Sequence, residues 1–359
     1  MKLLIDAPFN SLSLGNVTYN IVRELFKRDV ELGIFPVGNT DLSAYSVAPD
    51  LGKYIENGIN KRFDFLKPEI PCLKIWHLNG SENRKNKDQY LLTFYECNKP
   101  TDIELKICEA QDKTFFSSSY AKNNFANLGA TKAEFVPLGF DEDFYQTNKT
   151  YLKDTVHFGL MGKFENRKHT DRIIKAWLKK YGNNNKYQLS CCINNPFFKP
   201  EDMNRILSGV CQGKNYTNIN FLPYLKTNKE VNEFLNAIDV DLTGLSGGEG
   251  WNLPAFNATC LGKWSLVLNE TSHKDWATEK NAILIPARGQ MPAEDGVFFN
   301  KDTPFNQGTF YTWEEEEVIW MMEEGAGRAG QINTEGLELR NKFTYSNTVD
   351  TLLSQINTA

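Results

Sequence analysis

Three cationic side chains lie close together in segment 162–169, whose sequence is GKFENRKH. Lys163, Arg167 and Lys168 come shortly after the apolar run 156–161, which has the composition of a buried strand. Arginine binds phosphate through parallel N–H groups, and lysine binds it as a point charge. The segment is therefore suited to a diphosphate, and the alternative is a solvated basic turn.

A glycine-rich segment, residues 246–254 with the sequence SGGEGWNLP, is the second candidate. Gly248 and Gly250 allow the backbone to approach a ligand closely and to adopt positive φ. Pro254 suits the first turn of a helix, whose N-terminus offers unpaired N–H groups to a phosphate. Glu249 would repel a phosphate, so we expect it to face a sugar hydroxyl or a developing cation. The alternative is an ordinary glycine-rich turn with a solvated glutamate.

Both segments follow predicted strands of one sheet. The second half of the chain alternates short apolar strands with helices, which is typical of a doubly wound parallel α/β sheet. The expected strands are 156–161, 187–193, 219–222, 240–245 and 264–268, and the expected helices are 170–180, 229–237 and 253–261. Ligands of such sheets bind at the carboxyl ends of the strands. Together the two segments therefore predict a receptor for a nucleotide diphosphate.

The first half of the chain predicts a second sheet of the same kind. It opens with a βαβ unit that joins strands 2–6 and 30–35, and further strands are expected at 90–95, 114–117 and 134–137. The polar stretch 141–154 has no apolar period, and we place the domain boundary there. The predicted domains are 1–150 and 151–335, followed by a C-terminal segment, 336–359, whose helix crosses back towards the first domain.

Composition limits the classes of function. The 359 residues carry a formal net charge of −5, and residues 1–150 hold 18 Lys and Arg against 20 Asp and Glu, which argues against broad electrostatic binding of nucleic acid. No apolar run approaches the ~18 residues of a membrane span, and Asp6 interrupts the opening run too early for a signal peptide. The seven cysteines form no C-x-x-C pair, so we expect a reduced, cytoplasmic protein without stable membrane anchoring.

Weaker candidates follow strands of the first half. Gly15 lies in the first strand–helix loop, which lacks the G-x-G-x-x-G of an NAD site but can line the cleft from the opposite domain. His77 and Glu96 each follow a probable strand and are candidates for contact with an acceptor. The alternatives are a partly buried structural histidine and a helix cap. His273 either borders the donor site or belongs to a charged helix N-terminus.

Three blocks of sequence carry a resemblance to a known family. Residues 116–119 and 136–141 are similar to the "S-x-(helix)-v-P-x-G-v-D" pattern, residues 162–168 to "G-[RK]-x-x-x-[RE]-K-G", and residues 249–254 to "E-G-[FW]-[GN]-L-P". In this order and spacing, over roughly residues 90 to 270, the chain resembles the retaining glycosyltransferases of family 4. The resemblance implies the GT-B fold, in which two Rossmann-like doubly wound domains face each other across a cleft.

The resemblance also implies roles for particular residues. Lys163 and Lys168 would contact the diphosphate of a nucleotide sugar, with Arg167 nearby. Glu249 matches the first glutamate of the family's E-x7-E motif, which lies near the transferred sugar. The second glutamate is replaced by Asn257, which can still accept one hydrogen bond from a ribose hydroxyl.

Donor binding and catalysis follow from the same resemblance. Backbone N–H groups of Trp251, Asn252 and Leu253 would bind the β-phosphate, which agrees with the helix N-terminus argument. Because these groups and lysine neutralise the leaving diphosphate, we expect no metal and no separate cofactor. The family retains the anomeric configuration by a front-face substitution. The D-x-D triplet at residues 239–241 is instead interpreted as the start of a buried strand.

The resulting hypothesis is a hexosyl- or pentosyltransferase that uses a nucleotide sugar, with UDP as the expected nucleotide. Its acceptor is either a glycan or the hydroxymethyl-pyrimidine of phage DNA, since the Lys- and Asn-rich composition is compatible with a phage-type member. Arg84, Lys85 and Lys87 form the only small basic loop of the first domain. The alternative is a catalytically degenerate sugar- or nucleotide-binding protein, for which Asn257 is the main support. The oligomeric state is left open.

Overall fold

A computed structural model describes residues 1–147, 149 and 151–356. Its first sheet has six parallel strands in the order β2-β1-β3-β4-β5-β6. These strands are β1 (Lys2–Ala7), β2 (Glu31–Pro36), β3 (Cys72–Ile75), β4 (Gln89–Thr93), β5 (Lys113–Phe116) and β6 (Ala133–Phe135). The order reverses between β1 and β3, so the loops after these two strands border the crevice where doubly wound sheets bind ligands.

Four helices cover this sheet: α1 (Ser13–Lys27), α2 (Pro49–Asn60), α3 (Asp102–Glu109) and α4 (Ser119–Asn127). Thr101 and Glu104 form a reciprocal capping box that fixes the start of α3. Helix α2 has no counterpart among the predicted elements, because Gly52 and Gly58 weaken its helical pattern. Gly58 is nevertheless required in α2, since a Cβ there would lie 2.8 Å from a carbon of Ile34.

The second sheet also has six parallel strands, in the order β12-β11-β10-β7-β8-β9. They are β7 (Val156–Met161), β8 (Tyr187–Cys192), β9 (Ile219–Phe221), β10 (Val240–Asp241), β11 (Trp264–Leu268) and β12 (Ile283–Ile285). The helices of this half are α5 (Thr170–Tyr181), α6 (Pro200–Val210), α7 (Asn228–Ala237), α8 (Leu253–Cys260) and α9 (Glu315–Gly327). The doubly wound α/β class expected for both halves is confirmed.

Strand β10 is shorter than predicted. The expected strand 240–245 pairs only at Val240 and Asp241, and the chain then turns into a 3-10 helix, Thr243–Leu245. The Asp241 carboxylate accepts the N–H of Thr243 at 3.1 Å, which favours this turn. The buried position of Asp241 agrees with the interpretation of the 239–241 triplet as the start of a strand.

A hairpin that the sequence did not predict links the two halves. Strands β13 (Gly289–Pro292) and β14 (Thr309–Thr312) pair antiparallel, and we call residues 289–312 the clasp. Its Phe299 and Phe310 are buried in the same cluster as Tyr95 and other side chains of the first half. The Thr309 N–H donates to the side-chain oxygen of Asn98 at 2.9 Å. The clasp therefore packs on both sheets.

The chain ends in two helices, α10 (Thr334–Lys342) and α11 (Tyr345–Ile356). Helix α11 packs beside α1, where Arg28 pairs with Asp350 at 2.8 Å and donates to the Ser346 hydroxyl at 2.8 Å. The division into domains near residue 150 stays a prediction. Thr150 itself and residues 357–359 lie outside the described residues.

A buried carboxylate joins α1, the segment after β6, and α7. The Asp141 side chain accepts hydrogen bonds from the amides of Asn16 at 2.9 Å, Asn20 at 3.1 Å and Asn228 at 3.3 Å. The Arg23 guanidinium lies 3.5 Å from the same carboxylate. Because Asn228 begins α7 and the other donors belong to α1, Asp141 helps to fix the orientation of one half relative to the other.

Candidate active site

The two candidate segments lie where the strand order of the second sheet reverses. Segment 162–169 follows β7 and segment 246–254 follows β10, and these strands are neighbours in the sheet. The carboxyl ends of parallel strands at such a switch point border the usual ligand crevice. The structure therefore brings together the two segments that the sequence suggested should cooperate.

Five charged side chains of these segments form one ion-pair network. Lys168 Nζ lies 2.6 Å from one Glu249 oxygen, and Arg167 lies 3.0 Å from the other. Arg167 also pairs with Glu165 at 3.0 Å, and Lys163 pairs with Glu165 at 2.9 Å. With three cations against two carboxylates, the network keeps one positive charge beside the crevice.

The network keeps Glu249 ionised. Burial alone would raise the pKa of this carboxyl, but Arg167 and Lys168 lower it well below the usual range. Glu165 behaves in the same way, with burial opposed by Arg167, Lys168 and Lys163, and its pKa is also lowered. Both glutamates are thus anions at neutral pH, as a group that stabilises a developing cation must be.

Arg167 holds the two segments together. Its carbonyl oxygen accepts the N–H of Gly247 at 2.8 Å, and its guanidinium donates to the carbonyl of Gly248. The side chain is only 8% exposed, because it lies between Glu165 and Glu249. Arg167 therefore positions the loop and Glu249, and Lys168 and Lys163, at 14% and 32% side-chain exposure, are more accessible to a ligand.

Close packing, and not positive φ, accounts for the glycines of segment 246–254, and their approach to a ligand stays a prediction. Positive φ is recorded for Asn252, at 64°, and not for Gly247, Gly248 or Gly250. A Cβ on Gly247 would lie 2.3 Å from the Tyr311 carbonyl oxygen of the clasp. On Gly248 it would lie 2.8 Å from the Glu96 carbonyl oxygen, and on Gly250 2.8 Å from the Phe94 Cβ. Tight packing against the clasp and the first sheet requires these glycines.

Gly250→Ala should lower the free energy of unfolding by about 1–3 kcal/mol, because its methyl group overlaps Phe94 and crowds Ser117. Gly209→Ala is the matched control, since no atom lies within 4 Å of its added methyl group in helix α6. The control should stabilise the protein by roughly 0.5–1 kcal/mol. Urea unfolding followed by tryptophan fluorescence measures both changes. Equal changes in the two variants would contradict the packing role.

Asn252 locks the entry into helix α8. Its left-handed conformation is one that asparagine tolerates well. The side-chain amide donates to the Thr243 carbonyl at 3.1 Å and contacts His273 Nε2 at 2.9 Å. His273 Nδ1 lies 2.8 Å from the Leu268 carbonyl, so Nδ1 carries the proton and Nε2 accepts from Asn252. His273 thus borders the candidate donor site by holding its loop.

Two buried histidines should make stability depend on pH. Loss of solvation lowers the pKa of His169 and of His273 to about 4 from 6.5. The unfolded chain therefore takes up these protons below pH 6.5 while the folded chain does not, so stability falls as the pH drops towards 4. At pH 5 each histidine should cost about 2 kcal/mol relative to pH 7.5.

His169→Asn tests this dependence, because asparagine does not titrate and tolerates the φ of 54° at this position. Urea midpoints at pH 7.5 and pH 5 should differ less in the variant than in the unsubstituted protein. The same difference in both proteins would show that His169 is not a source of the acid sensitivity.

The start of helix α8 fits an anion site. Its first N–H groups have no acceptor within the helix, and the positive end of the helix dipole lies there. Leu253 is the first residue of α8, and Pro254 occupies the first turn as predicted. The Trp251 ring does not face a ligand, because it packs edge-on against Phe256 and Phe343. The ring anchors the loop, and the backbone N–H groups at the helix start remain available to an anion.

Asn257 lies in the second turn of α8 and is 5% exposed. Within the described residues, its side-chain oxygen has no hydrogen-bond partner. A buried oxygen without a donor is costly, so this amide has the capacity to accept a hydroxyl group of a bound ligand.

The predicted acceptor residues lie near segments 162–169 and 246–254. The pKa of His77 is lowered, mainly because the surrounding protein removes water from the ring, with Lys163 adding to the effect and Glu96 opposing it. Burial is the largest single effect on Arg167 and lowers its pKa. Nearby carboxylates, Glu96 among them, outweigh burial and raise the pKa of Arg167. The charges of the two halves therefore act on each other here, and the Glu96 carbonyl oxygen packs against Gly248.

Gly15 lies in the first turn of α1 rather than in a free loop. A Cβ at this position would lie 2.3 Å from the Asn10 carbonyl oxygen, so close packing accounts for the glycine. Its contact with a donor stays a prediction.

Three features near the site were missed from the sequence. Glu165 was treated only as part of a basic segment, although two cations of that segment bind it. Thr271 has φ of 56°, which is unusual for a β-branched residue, and its hydroxyl lies 3.4 Å from the Glu249 nitrogen. The clasp carbonyl at Tyr311 lies 2.8 Å from His169 Nε2. Among these, only Glu165 had a usable signal, since a carboxylate amid three cations favours pairing.

Comparison with known proteins identifies the fold. Sucrose-phosphate synthase from Thermosynechococcus elongatus superposes with a TM-score of 0.70 at 12% identity, over 100% of this chain and 98% of that one. HepE from Anabaena in complex with UDP-glucose gives 0.67 at 11% identity over 100% of both chains. Trehalose-6-phosphate synthase from Burkholderia multivorans gives 0.67 at 12% identity over 99% and 96%.

The chain has the GT-B fold. No protein-family model matches it, and no curated protein sequence does. Among the residues that the structure covers, no helix is long and apolar enough to traverse a lipid bilayer. In the same part of the chain, no group of three or more His, Cys, Asp or Glu side chains is arranged to hold a metal ion.

Proposed function

We propose that this GT-B protein is a glycosyltransferase that uses a nucleotide sugar, with UDP as the nucleotide. The observation that carries the proposal is the pairing of Lys168 with Glu249 beside the start of helix α8. A lysine and helix N–H groups suit a diphosphate, and an ionised glutamate suits the sugar attached to it. HepE, which shares the fold, was solved with UDP and with UDP-glucose.

The donor occupies the crevice between segments 162–169 and 246–254. Its diphosphate binds the N–H groups of Trp251, Asn252 and Leu253 together with Lys168. Lys163 moves from Glu165 to the same phosphates. Gly248 and Gly250 have no side chains, so the donor can approach the backbone of the loop closely. The Asn257 side-chain oxygen accepts a hydrogen bond from one ribose hydroxyl.

The transfer retains the anomeric configuration. The acceptor oxygen forms a bond to the anomeric carbon on the face from which the diphosphate leaves, and the C–O bond to the β-phosphate breaks with its electron pair. The acceptor proton passes to an oxygen of the departing diphosphate. Lys168 and the N–H groups stabilise the charge that develops there, so the reaction needs no metal, and Glu249 stabilises the cationic sugar.

The acceptor enters from the side of the first sheet. His77 and Glu96 are the proposed contacts for its hydroxyl, because the Glu96 carbonyl oxygen packs against Gly248 and His77 follows strand β3 of the same sheet. The acceptor is a glycan or a hydroxymethyl-pyrimidine of DNA, and the transferred sugar is a hexose or a pentose. A cytoplasmic location and a phage-type origin stay predictions.

A calorimetric screen of UDP-, GDP- and ADP-sugars tests the donor. UDP-sugars should bind, and Lys168→Ala should weaken their binding about tenfold, because a charge-assisted contact to phosphate is lost. Lys186→Ala is the control, since Lys186 is an exposed lysine distant in sequence from both candidate segments. Unchanged affinity in Lys168→Ala would remove the diphosphate assignment.

A catalytically degenerate binding protein is the second candidate function. It is favoured by Asn257, which replaces a carboxylate of the family pattern, and by Glu249, whose two oxygens already pair with Arg167 and Lys168. Such a protein would bind a UDP-sugar without turning it over. Release of UDP over time distinguishes the two functions.

A further inference from the structure

A basic and aromatic surface lies on the first sheet, away from the ion-pair network. It is formed by the short 3-10 helix Arg62–Phe65 with its flanks and by part of the loop after β3. Residues 61–67 and 84–87 together carry six cations and one carboxylate, Asp64. We call these two segments the basic patch.

The two segments form one surface because Asn86 fastens them together. The buried Asn86 amide donates to the carbonyl oxygens of Phe65 at 2.9 Å and Ile70 at 2.8 Å. Lys85 extends from this loop, and its Nζ lies 4.8 Å from the centre of the Phe35 ring. The loop therefore keeps its cations beside the aromatic side chains.

Cations and aromatic rings alternate across the basic patch. The Arg62 guanidinium lies 4.6 Å from the Phe63 ring centre and 6.0 Å from that of Phe35. Phe35 and Phe63 meet edge to face at 5.5 Å. Phe63 is 63% exposed, which leaves its ring open to a ligand.

The positive charge is local. Two of the six cations already have acidic partners, since Arg84 pairs with Asp112 at 2.9 Å and Lys85 lies 3.8 Å from Asp6. Within the described residues, the other four form no ion pair: Lys61, Arg62, Lys67 and Lys87. These four side chains are the ones that can attract a polyanion to this surface.

The patch is continuous with the candidate acceptor side of the cleft. His77 and Lys85 belong to the same loop, between β3 and β4. This loop is braced from within, since Ser81 donates to the His77 carbonyl at 2.6 Å and Lys74 donates to the Gly80 carbonyl at 2.6 Å. A ligand on the patch can therefore extend along a defined loop to His77.

We propose that the basic patch binds a single-stranded stretch of nucleic acid and presents it to the cleft as acceptor. Lysines that follow a phosphate backbone, interrupted by exposed rings on which bases stack, are how proteins hold single strands. An anionic glycan would use the same cations and can also pack a sugar face on Phe63, so it is the alternative that the test below separates from a nucleic acid strand. The role as acceptor rests on the proposed transferase function, whereas strand binding itself does not.

The test is fluorescence anisotropy of the full chain with a labelled single-stranded DNA of about 20 nucleotides, which exceeds the usual site size. The triple variant Lys61→Glu, Lys67→Glu, Lys87→Glu should lose at least about tenfold in affinity, and the salt slope should fall by roughly two. Phe63→Ala should lose about tenfold through lost stacking. The control Lys186→Glu, Lys214→Glu, Lys280→Glu makes the same charge change on exposed lysines of the second half.

Equal losses in the patch and control variants would overturn the proposal. So would equal affinity for dextran sulfate combined with an unchanged Phe63→Ala, since that result describes a surface for any polyanion, an anionic glycan included. Circular dichroism verifies that each variant folds. Strand binding is measured without donor. If the strand does not bind but UDP-sugar is turned over, only the proposal for the basic patch is wrong. If the strand binds but no UDP-sugar is turned over, only the proposed transferase function is wrong.

Discussion

Replacement of Glu249 by glutamine should lower the rate of sugar transfer about 100- to 1,000-fold. Glutamine keeps the shape of the side chain but removes the negative charge that we propose stabilises the reacting sugar. Glu249 is ionised in the folded protein, because Arg167 and Lys168 lower its pKa by more than burial raises it. The rate of UDP release under saturating donor measures the effect, and donor affinity should change much less than the rate.

Glu279→Gln makes the same chemical change at an exposed position and should leave the rate unaltered. If Glu249→Gln retained more than a tenth of the activity, Glu249 would be a structural partner of Arg167 and Lys168 and not a group that acts on the sugar. Because Glu249→Gln also removes a buried partner of Arg167 and Lys168, its urea midpoint should fall, so the rate is measured under conditions in which circular dichroism shows the variant to be folded.

Asp141→Ala should lower the free energy of unfolding by about 3 kcal/mol. The substitution removes the acceptor of three amide hydrogen bonds, from Asn16, Asn20 and Asn228, and leaves Arg23 with less compensation. Asp143 still pairs with Arg23 at 2.8 Å, which keeps the loss at the lower end of the range for a broken buried ion pair. The measurement is the urea midpoint followed by tryptophan fluorescence.

The adjacent Glu142→Ala is the matched control for this prediction. Its side chain is 54% exposed and pairs with Lys27 in solvent, so the loss should stay below about 1 kcal/mol. Similar losses in the two variants would contradict the role of Asp141 as the buried link between α1 and α7.

The sequence predicted the doubly wound sheets well because strand and helix periods are local. Strand β11 begins and ends where expected, and β7 does too. The switch point could also be anticipated in part, since segments 162–169 and 246–254 each follow a strand. Their adjacency depends on the order of strands in the sheet, which is a tertiary property that the sequence pattern does not contain.

The missed features are those that depend on contacts between distant residues. Gly248 and Gly250 were expected to provide unusual φ, but the need for glycine comes from Glu96 and Phe94 of the other sheet. The clasp has no period that marks a hairpin, and its two strands are joined by a long loop that packs on the first half. The pairing of Arg167 with Glu249 likewise appears only once both loops are folded.

The most direct test of the account is a ³¹P NMR time course of UDP-glucose and related UDP-sugars with the intact protein. At least one UDP-sugar should be cleaved to UDP, slowly by water and faster with an acceptor, and Glu249→Gln should abolish most of this release. If every UDP-sugar tested binds without any release of UDP, the proposal that the protein is an enzyme is wrong. If there is neither binding nor release, the proposed donor site is wrong.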